Sequence, residues 1–427
     1  MLTSQDPRLA GRVAFTHPNF VSYTLARFFI VVALEMQSVA VGWQVYEITQ
    51  RPLDLGYVGL AQFLPGFVLF LFAGHAADLF DRRKLLLGCY GGFALCSALL
   101  LAISGRAPQS VHAIYVVLVL LGIFRSFNWP ASRALLPQLV PEEHFANAVA
   151  WNASTFQIAT IAGPAIGGIA YALFRGPEAV YAIAVAVSIL ATLFTSRIHA
   201  LPPAPEKERA QRVVKKEPVS LRTVLAGFRF IWEKKLILGS ISLDMFAVLL
   251  GGAVALLPIY AREILHTGPW GLGLLRSAPG VGATLMAIAV AHRPIRRRAG
   301  LTMLFAVAAF GALTIVFGIS HSLILSLVAL FLVGASDMVS VIIRATLVQV
   351  ATPDEMRGRV SAVDMLFVGV SNELGEFESG LTAQWFGTVP AVVLGGVGTL
   401  VVIATWAYLF PELRKADQLT VAELVPK

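Results

Sequence analysis

Long apolar stretches separated by short polar ones set the pattern of the whole chain. Most reach about 20 residues, the length at which an α-helix crosses a bilayer. Backbone groups in lipid must be bonded within a helix or a closed barrel, and no stretch alternates as barrel strands do. The pattern therefore predicts an all-α membrane protein. The twelve predicted spans are residues 19–46, 53–78, 84–104, 111–136, 145–173, 177–197, 236–261, 269–291, 300–319, 322–348, 358–385 and 388–410.

One long hydrophilic stretch divides these spans into two sets of six. The predicted division is an N-terminal six-helix bundle at 1–199, a cytoplasmic linker at 200–235 and a C-terminal six-helix bundle with a cytoplasmic tail at 236–427. Within the linker, apolar residues recur at helical spacing from Leu221 to Trp232. This spacing predicts an amphipathic helix that lies on the inner membrane surface.

Composition supports the membrane interpretation and limits the partners. The chain is 57% hydrophobic and 14% charged, with a mean hydropathy of +0.75. Its formal charge of +8 could indicate nucleic acid, but the bases lie in short loops, so anionic membrane lipid is the predicted partner and nucleic acid is not. Cys89 and Cys96 lie in an apolar run and are predicted to be buried hydrophobic side chains, with no metal site or disulfide.

The distribution of bases predicts the orientation. Residues 1–18 lack the features of a signal peptide, which places the N-terminus in the cytoplasm. The outer loops then hold only four of the 33 basic residues, namely Arg51, Arg106, Arg175 and Arg262. Because loops rich in Lys and Arg resist translocation, both termini are predicted to be cytoplasmic.

The two sets of six spans are related to each other. Pro65 matches Pro279, and RALLPQLVPEEHFANAV from Arg133 matches RATLVQVATPDEMRGRV from Arg344. Two pseudo-symmetric bundles of this kind would close a cavity near the midplane that opens alternately to each side.

Between the second and third spans, Gly74, Asp78, Arg82 and Arg83 form the arrangement G-x-x-x-D-x-x-x-R-R. Here the chain resembles the major facilitator superfamily, in which this motif latches helix ends in one conformation of the transport cycle. Asp81 stands where that family usually has a second glycine, which predicts a less tight turn. The alternative is that the three consecutive bases only set topology.

The fifth span carries a second motif, ATIAGPAIGG. Its Gly163, Pro164, Gly167 and Gly168 resemble the pattern that antiporters of this superfamily carry on the same helix. The resemblance favours export over uptake. Ordinary close packing of small residues is the alternative.

Acids inside the spans are the candidates for proton coupling, because intramembrane charges are costly. Glu35, near the middle of the first span, is the first choice, and a neutral Glu35 packed with Gln37 is the alternative. Glu373 and Glu376 are one helical turn apart in the eleventh span, where repulsion would keep one of them protonated. If that segment lies at the outer mouth, both are simply in water.

Other charges in the spans predict gates. Arg27 and Asp244 stand at equivalent places and could form an ion pair at the cytoplasmic entrance, although Arg27 could instead snorkel. Asp337, a further proton candidate, precedes Arg344 by two turns in the tenth span, and Arg125 lies in the fourth. These residues predict a charged network that binds substrate or gates.

The remaining candidates are polar or aromatic side chains that could line a pocket. They are Trp43, Gln44, Trp151 and Asn152. An enzyme is not predicted, because the chain has no nucleotide-binding glycine loop, zinc-spaced histidines or nucleophile arrangement. No catalytic residue and no cofactor are expected.

Scattered motifs over most of the chain narrow the resemblance. THPNF, LARF, LPPAP, LAGFRF and ATPDEMRGRV look like the branch that contains bacterial enterobactin exporters and related efflux permeases. This resemblance implies proton-driven export of a siderophore or another small amphiphilic molecule across the inner membrane. An uptake permease or facilitator for a small metabolite is the alternative, and a monomer is expected.

Overall fold

The structure is a computed structural model of the 427-residue chain, and it describes residues 11–105, 110–199, 221–295 and 297–417. Every regular element in these residues is helical. The helices form two compact units. Of the described residues, those within Met1–Val41 and Ala61–Val219 form unit 1, and those within Gly42–Leu60 and Ser220–Lys427 form unit 2.

The first six long helices agree with the first six predicted spans to within a few residues. Pro52 and Pro177 each start a helix, where the missing N–H of proline is tolerated. The helices are α1 (Pro18–Thr49), α2 (Pro52–Leu79), α3 (Arg82–Ser104), α4 (Val111–Leu135), α5 (Glu142–Phe174) and α6 (Pro177–Ser196).

The remaining helices begin with the linker helix and continue through the other six spans. They are α7 (Leu221–Glu233), α8 (Lys235–Gly251), α9 (Gly268–His292), α10 (Ala299–Gly318), α11 (Leu323–Ala351), α12 (Asp354–Phe386), α13 (Thr388–Leu409) and the short α14 (Pro411–Lys415). Eleven segments of the described chain are long and apolar enough to cross a membrane. Only α12 among the twelve predicted spans is not one of them, because acids and bases interrupt it.

The seventh span differs from the prediction of one continuous helix. Regular α-helix ends at Gly251 and is followed by a 3-10 turn (Ala253–Leu256) and a π-helical turn (Tyr260–Ile264). Two features explain the change. The Gly251-Gly252 pair weakens the helix, and the ring of Pro258 removes one backbone hydrogen bond.

Glycine contacts of the same kind occur in both units. A side chain at Gly122 of α4 would overlap the carbonyl oxygen of Gln62 in α2, and one at Gly334 of α11 would overlap that of Pro279 in α9. The missing side chains let each helix pair approach closely. The corresponding contacts are consistent with the internal repeat seen in the sequence.

The linker helix α7 is amphipathic, as predicted. Leu225, Phe228 and Trp232 expose one apolar face, while Ile231 is buried. The ring of Phe228 stacks on that of Phe367 in α12, with centroids 6.2 Å apart.

The segment Gly42–Leu60, which joins the end of α1 to the start of α2, packs within unit 2. Tyr46 donates a hydrogen bond to the carboxylate of Glu263. The rings of Tyr57 and Phe377 lie 5.8 Å apart. The predicted boundaries at residues 199 and 236 stay a prediction, and the structure adds that this hairpin belongs to the second unit.

Candidate functional site

A cavity lies in unit 1 beside the middle of α1. Its wall combines polar groups with aliphatic ones, the composition typical of sites for amphiphilic ligands. The polar residues are Glu35, Gln37, Ser38, Gln62 and Arg125, and the aliphatic residues are Leu34, Val41, Leu118 and Leu121. We call this space the unit 1 cavity.

Hydrogen bonds to the side-chain amides of Gln62 and Gln37 hold polar groups of the unit 1 cavity in place. Arg125 donates to the side-chain oxygen of Gln62 over 2.9 Å, and Ser97 donates to that of Gln37 over 2.6 Å. Gly122 brings α4 against the backbone of Gln62, one turn before Arg125. The predicted acid Glu35 and the predicted base Arg125 therefore line one space, together with amides that can donate or accept.

The glycine motif of α5 lies directly against Glu35. All four of its predicted residues are buried: Gly163, Pro164, Gly167 and Gly168. A Cβ at Gly163 would lie 2.5 Å from the Cβ of Glu35, and one at Gly167 would lie 2.7 Å from the Cα of Met36. The glycines thus let α5 reach α1 at the level of the candidate proton site, a pairing that neither motif predicts alone.

A second charged group lies inside unit 2. Arg344 of α11 contacts Asp244 of α8 at 3.4 Å and donates a hydrogen bond to Asp364 of α12. The sequence pointed to Arg344 and Asp244 but missed Asp364. The only signal was a lone acid in an apolar part of the eleventh span.

The predicted ion pair between Arg27 and Asp244 stays a prediction, and the partners that each residue has in the structure lie within its own unit. Arg27 donates to the hydroxyls of Tyr23 and Ser132, each over 3.2 Å, and lies over the ring of Phe156. Asp244 pairs with Arg344. Each of these charged side chains has its hydrogen-bond or ion-pair partners within its own unit.

The two acids of α12 converge on one glycine of α2. A Cβ at Gly59 would lie 2.8 Å from a carboxylate oxygen of Glu376 and 3.5 Å from one of Glu373. Both side chains are half-buried. They therefore share one packed region of unit 2, as their spacing of one turn implied.

The four pocket candidates lie outside the unit 1 cavity. Trp43 and Gln44 are buried in unit 2. The indole of Trp151 donates to the carbonyl oxygen of Gly11 over 2.8 Å, and its ring packs edge-on against Phe15. The side-chain oxygen of Asn152 is buried with no hydrogen-bond partner among the described residues. In the structure, Trp151 therefore packs against and binds the N-terminal segment at Gly11 and Phe15 rather than lining the unit 1 cavity.

A histidine pair fastens the same N-terminal segment to α5. The Nε2 atom of His17 and the Nδ1 atom of His144 lie 2.9 Å apart, which is a hydrogen bond when one ring donates. Burial lowers the pKa of His17, and the nearby charge of His144 lowers it further. Both causes disfavour the protonated ring, so the contact is suited to neutral pH.

At the motif between α2 and α3, Asp81 replaces the expected glycine with a helix cap. Its carboxylate accepts hydrogen bonds from the backbone N–H groups of Arg83 and Lys84, over 2.9 and 3.2 Å. The guanidinium of Arg83 donates to the carbonyl oxygen of Ser196 in α6. The side chain of Asp78 lies outside the described residues, so the latch of Gly74, Asp78, Arg82 and Arg83 stays a prediction.

Comparison with protein families decides the class. The model of the Major Facilitator Superfamily matches residues 23–376. The chain belongs to the major facilitator superfamily. As a member of it, the chain is a multi-pass membrane transporter of the kind that moves small molecules.

Individual proteins agree with this assignment. The chain is 29% identical to the enterobactin exporter EntS of Escherichia coli O1:K1 / APEC over 408 residues, which are 94% of each chain. It is equally similar to the enterobactin exporter EntS of Citrobacter koseri, with 29% identity and the same coverage. These relatives are efflux proteins.

Solved structures show the same fold at low sequence identity. An inward-facing, occupied bacterial homologue of the human lysosomal transporter Spinster matches with a TM-score of 0.72 and 12% identity, over 92% of this chain and 96% of its own. A mutant form of the nucleoside transporter NupG matches with a TM-score of 0.70 and 13% identity, over 92% of this chain and 100% of its own. Both likenesses bear on the fold alone.

Proposed function

We propose that the chain is a proton-coupled exporter of a small amphiphilic molecule, of the siderophore or drug-like class, that works by alternating access. The observation that carries this proposal is the unit 1 cavity, where Glu35 and Arg125 face the same space. The names of the curated relatives support a siderophore-like substrate.

The chemistry of the unit 1 cavity fits such a ligand. Its four aliphatic residues can cover an aromatic or aliphatic body, while the amides and Arg125 can bind hydroxyl, carbonyl or anionic groups. An ionised Glu35 accepts hydrogen bonds from hydroxyl or ammonium groups of the ligand. Once Glu35 is protonated, that interaction weakens and the ligand leaves.

Competition between substrate and proton at one carboxyl group would couple their movements. In exchange, substrate binds from the inside when Glu35 is ionised, and a proton from the outside displaces it. The glycines of α5 serve this step by placing α5 against α1 at Glu35, so that a change at the carboxylate reaches both helices. Asp337, Glu373 and Glu376 are further candidates for the coupled proton.

We also propose that the protein lies in the bacterial inner membrane with both termini in the cytoplasm, and that it functions as a monomer. The excess of bases in the loops of one side supports this orientation. Anionic lipids on that side would attract these bases. The exposed apolar face of α7, which ends immediately before α8 begins, would rest on the same surface.

Transport into inside-out vesicles tests the function. An acidic lumen should drive accumulation of a siderophore or cationic drug, and a protonophore should abolish it. Glu35→Gln should remove the dependence on the proton gradient, whereas Glu412→Gln, at an exposed acid of α14, should behave as wild type. Accumulation that ignores the gradient in wild type would reject antiport and favour the alternative, a facilitator.

A further inference from the structure

A second, small cavity lies in unit 2 between α8, α10 and α11. Three polar residues line it: Asp244 of α8, and Asp337 and Ser340 of α11. The rest of the wall is apolar, with Ala247, Val248, Val307 and Phe310. Two carboxyl groups and a hydroxyl thus face a small space among apolar side chains.

The charges around this cavity do not balance. Arg344 is the base paired with Asp244, and their side chains are only 6% and 8% exposed. Asp364, the second partner of Arg344, is 23% exposed and can be solvated in part. Asp337, which lines the cavity, is half-buried like Asp364. Three acids, Asp244, Asp337 and Asp364, therefore stand around one base, and the cluster carries excess negative charge when all of them are ionised. An uncompensated charge in such surroundings is unfavourable, as it is when one partner of a buried ion pair is removed.

The hydroxyl of Ser340 gives an independent sign of a missing ligand. The residue is 2% exposed, and its oxygen has no hydrogen-bond partner among the described residues. A buried polar atom without a partner is unfavourable, and native proteins rarely contain one. The Ser340 hydroxyl lines the same cavity as the carboxyl groups of Asp244 and Asp337.

We propose that Asp244, Asp337 and Ser340 form a binding site for one monovalent cation, either H⁺ or Na⁺. One such charge reduces the excess negative charge beside the cavity, and the hydroxyl of Ser340 then has a partner. As a proton site, one carboxyl group holds the proton and shares it with the other oxygens. As a sodium site, the carboxylates and the hydroxyl supply oxygen ligands.

A divalent ion does not fit. Mg²⁺ and Ca²⁺ require six or more oxygen ligands, and the polar wall consists of two carboxyl groups and one hydroxyl. Within the residues that the structure describes, no group of three or more His, Cys, Asp or Glu side chains could hold a metal. The proposal that a cation binds here does not depend on the proposed function. Only the use of this cation as the coupled ion rests on the proposed function.

Cation binding can be measured on the purified protein in lipid nanodiscs with no substrate. The sodium arm measures binding of ²²Na⁺ at pH 8, and thermal unfolding in NaCl against choline chloride at equal ionic strength. The proton arm uses infrared spectroscopy to find a protonated-carboxyl band at neutral pH in sodium-free buffer. The variants are Asp337→Asn and Ser340→Ala, with Glu412→Gln as the matched control of an exposed acid.

One saturable Na⁺ per chain, lost in Asp337→Asn and weakened up to about tenfold in Ser340→Ala, would show a sodium site. A protonated-carboxyl band that disappears in Asp337→Asn and shifts in Ser340→Ala would show a proton site. Either result must persist in Glu412→Gln. If wild type shows neither Na⁺ binding nor such a band, the proposal is overturned.

Ser340→Ala decides the matter if Asp337→Asn does not fold, because it removes only one oxygen atom. Unchanged Na⁺ binding together with an unchanged carboxyl band in Ser340→Ala would also overturn the proposal. Cation binding without substrate-dependent proton or sodium flux would leave the site intact and reject its role in coupling.

Discussion

Replacing Arg344 by glutamine is expected to destabilise unit 2 strongly. The guanidinium lies 3.4 Å from Asp244 and also binds Asp364, and its side chain is 6% exposed. At this distance and an effective dielectric constant of about 20, the attraction to one carboxylate is about 5 kcal/mol. Desolvation offsets part of the attraction, yet removing one partner of a buried pair typically costs about 3–5 kcal/mol, because the other charge is left unpaired.

The exposed ion pair between Arg229 and Glu233 provides a control in the same chain. Its atoms lie 3.0 Å apart, closer than Arg344 and Asp244, but its side chains are 84% and 59% exposed. Pairs of this kind on a helix contribute about 0.3–0.5 kcal/mol. Arg229→Gln should therefore be nearly neutral, although it removes a shorter contact.

Thermal unfolding followed by tryptophan fluorescence distinguishes the two variants. Arg344→Gln should lower the Tm by on the order of 10 °C, and Arg229→Gln by about 1 °C. Adding Asp244→Asn to Arg344→Gln should recover part of the loss, because it removes the unpaired charge. Equal shifts in Tm for the two single variants would refute the reasoning from burial.

Three further predictions concern the packing around the candidate groups. Gly163→Val should abolish transport while membrane insertion persists, because the valine side chain would overlap Glu35 and push α5 away from α1. The control is Gly88→Val, where a side chain would meet open space. Normal transport by Gly163→Val would contradict the proposed contact. Gly59→Leu should likewise impair transport by displacing Glu376, and a fully active variant would show that this contact is dispensable. Because the pKa of His17 is lowered, the folded His17–His144 contact binds protons less readily than the unfolded segment does. The contact therefore has its full stability above about pH 6.5 and loses stability as the pH drops below that value. Hydrogen exchange at Gly11–Phe15, corrected for intrinsic rates, should therefore increase between pH 7.5 and 5.5, and it should lose this dependence in His17→Gln.

The twelve spans could be predicted because length and apolar composition alone specify a helix in lipid. Even the polar α12 was found, since the repeat from Arg344 onward and the apolar residues on both sides of its acids marked it. The linker helix α7 was predicted for a different reason. It is strongly amphipathic, so its sequence encodes which face is apolar.

The partners of the charged residues could not be predicted in the same way. Helices such as α8 and α10 are apolar on all sides, so their sequence does not encode which face meets which neighbour. The sequence therefore suggested Arg27 as the partner of Asp244 and did not reveal that Arg344 pairs with both Asp244 and the overlooked Asp364. The approach of Gly163 to Glu35 was missed for the same reason, because it depends on how α1 and α5 are rotated.

Proton movement driven by substrate alone tests the central claim most directly. Proteoliposomes with a pH-sensitive dye in the lumen, and no imposed gradient, would receive the substrate from outside. Coupled exchange predicts that the lumen becomes alkaline in proportion to the substrate that enters, and that Glu35→Gln abolishes the pH change. Substrate entry with a constant lumen pH in wild type would contradict proton-coupled export.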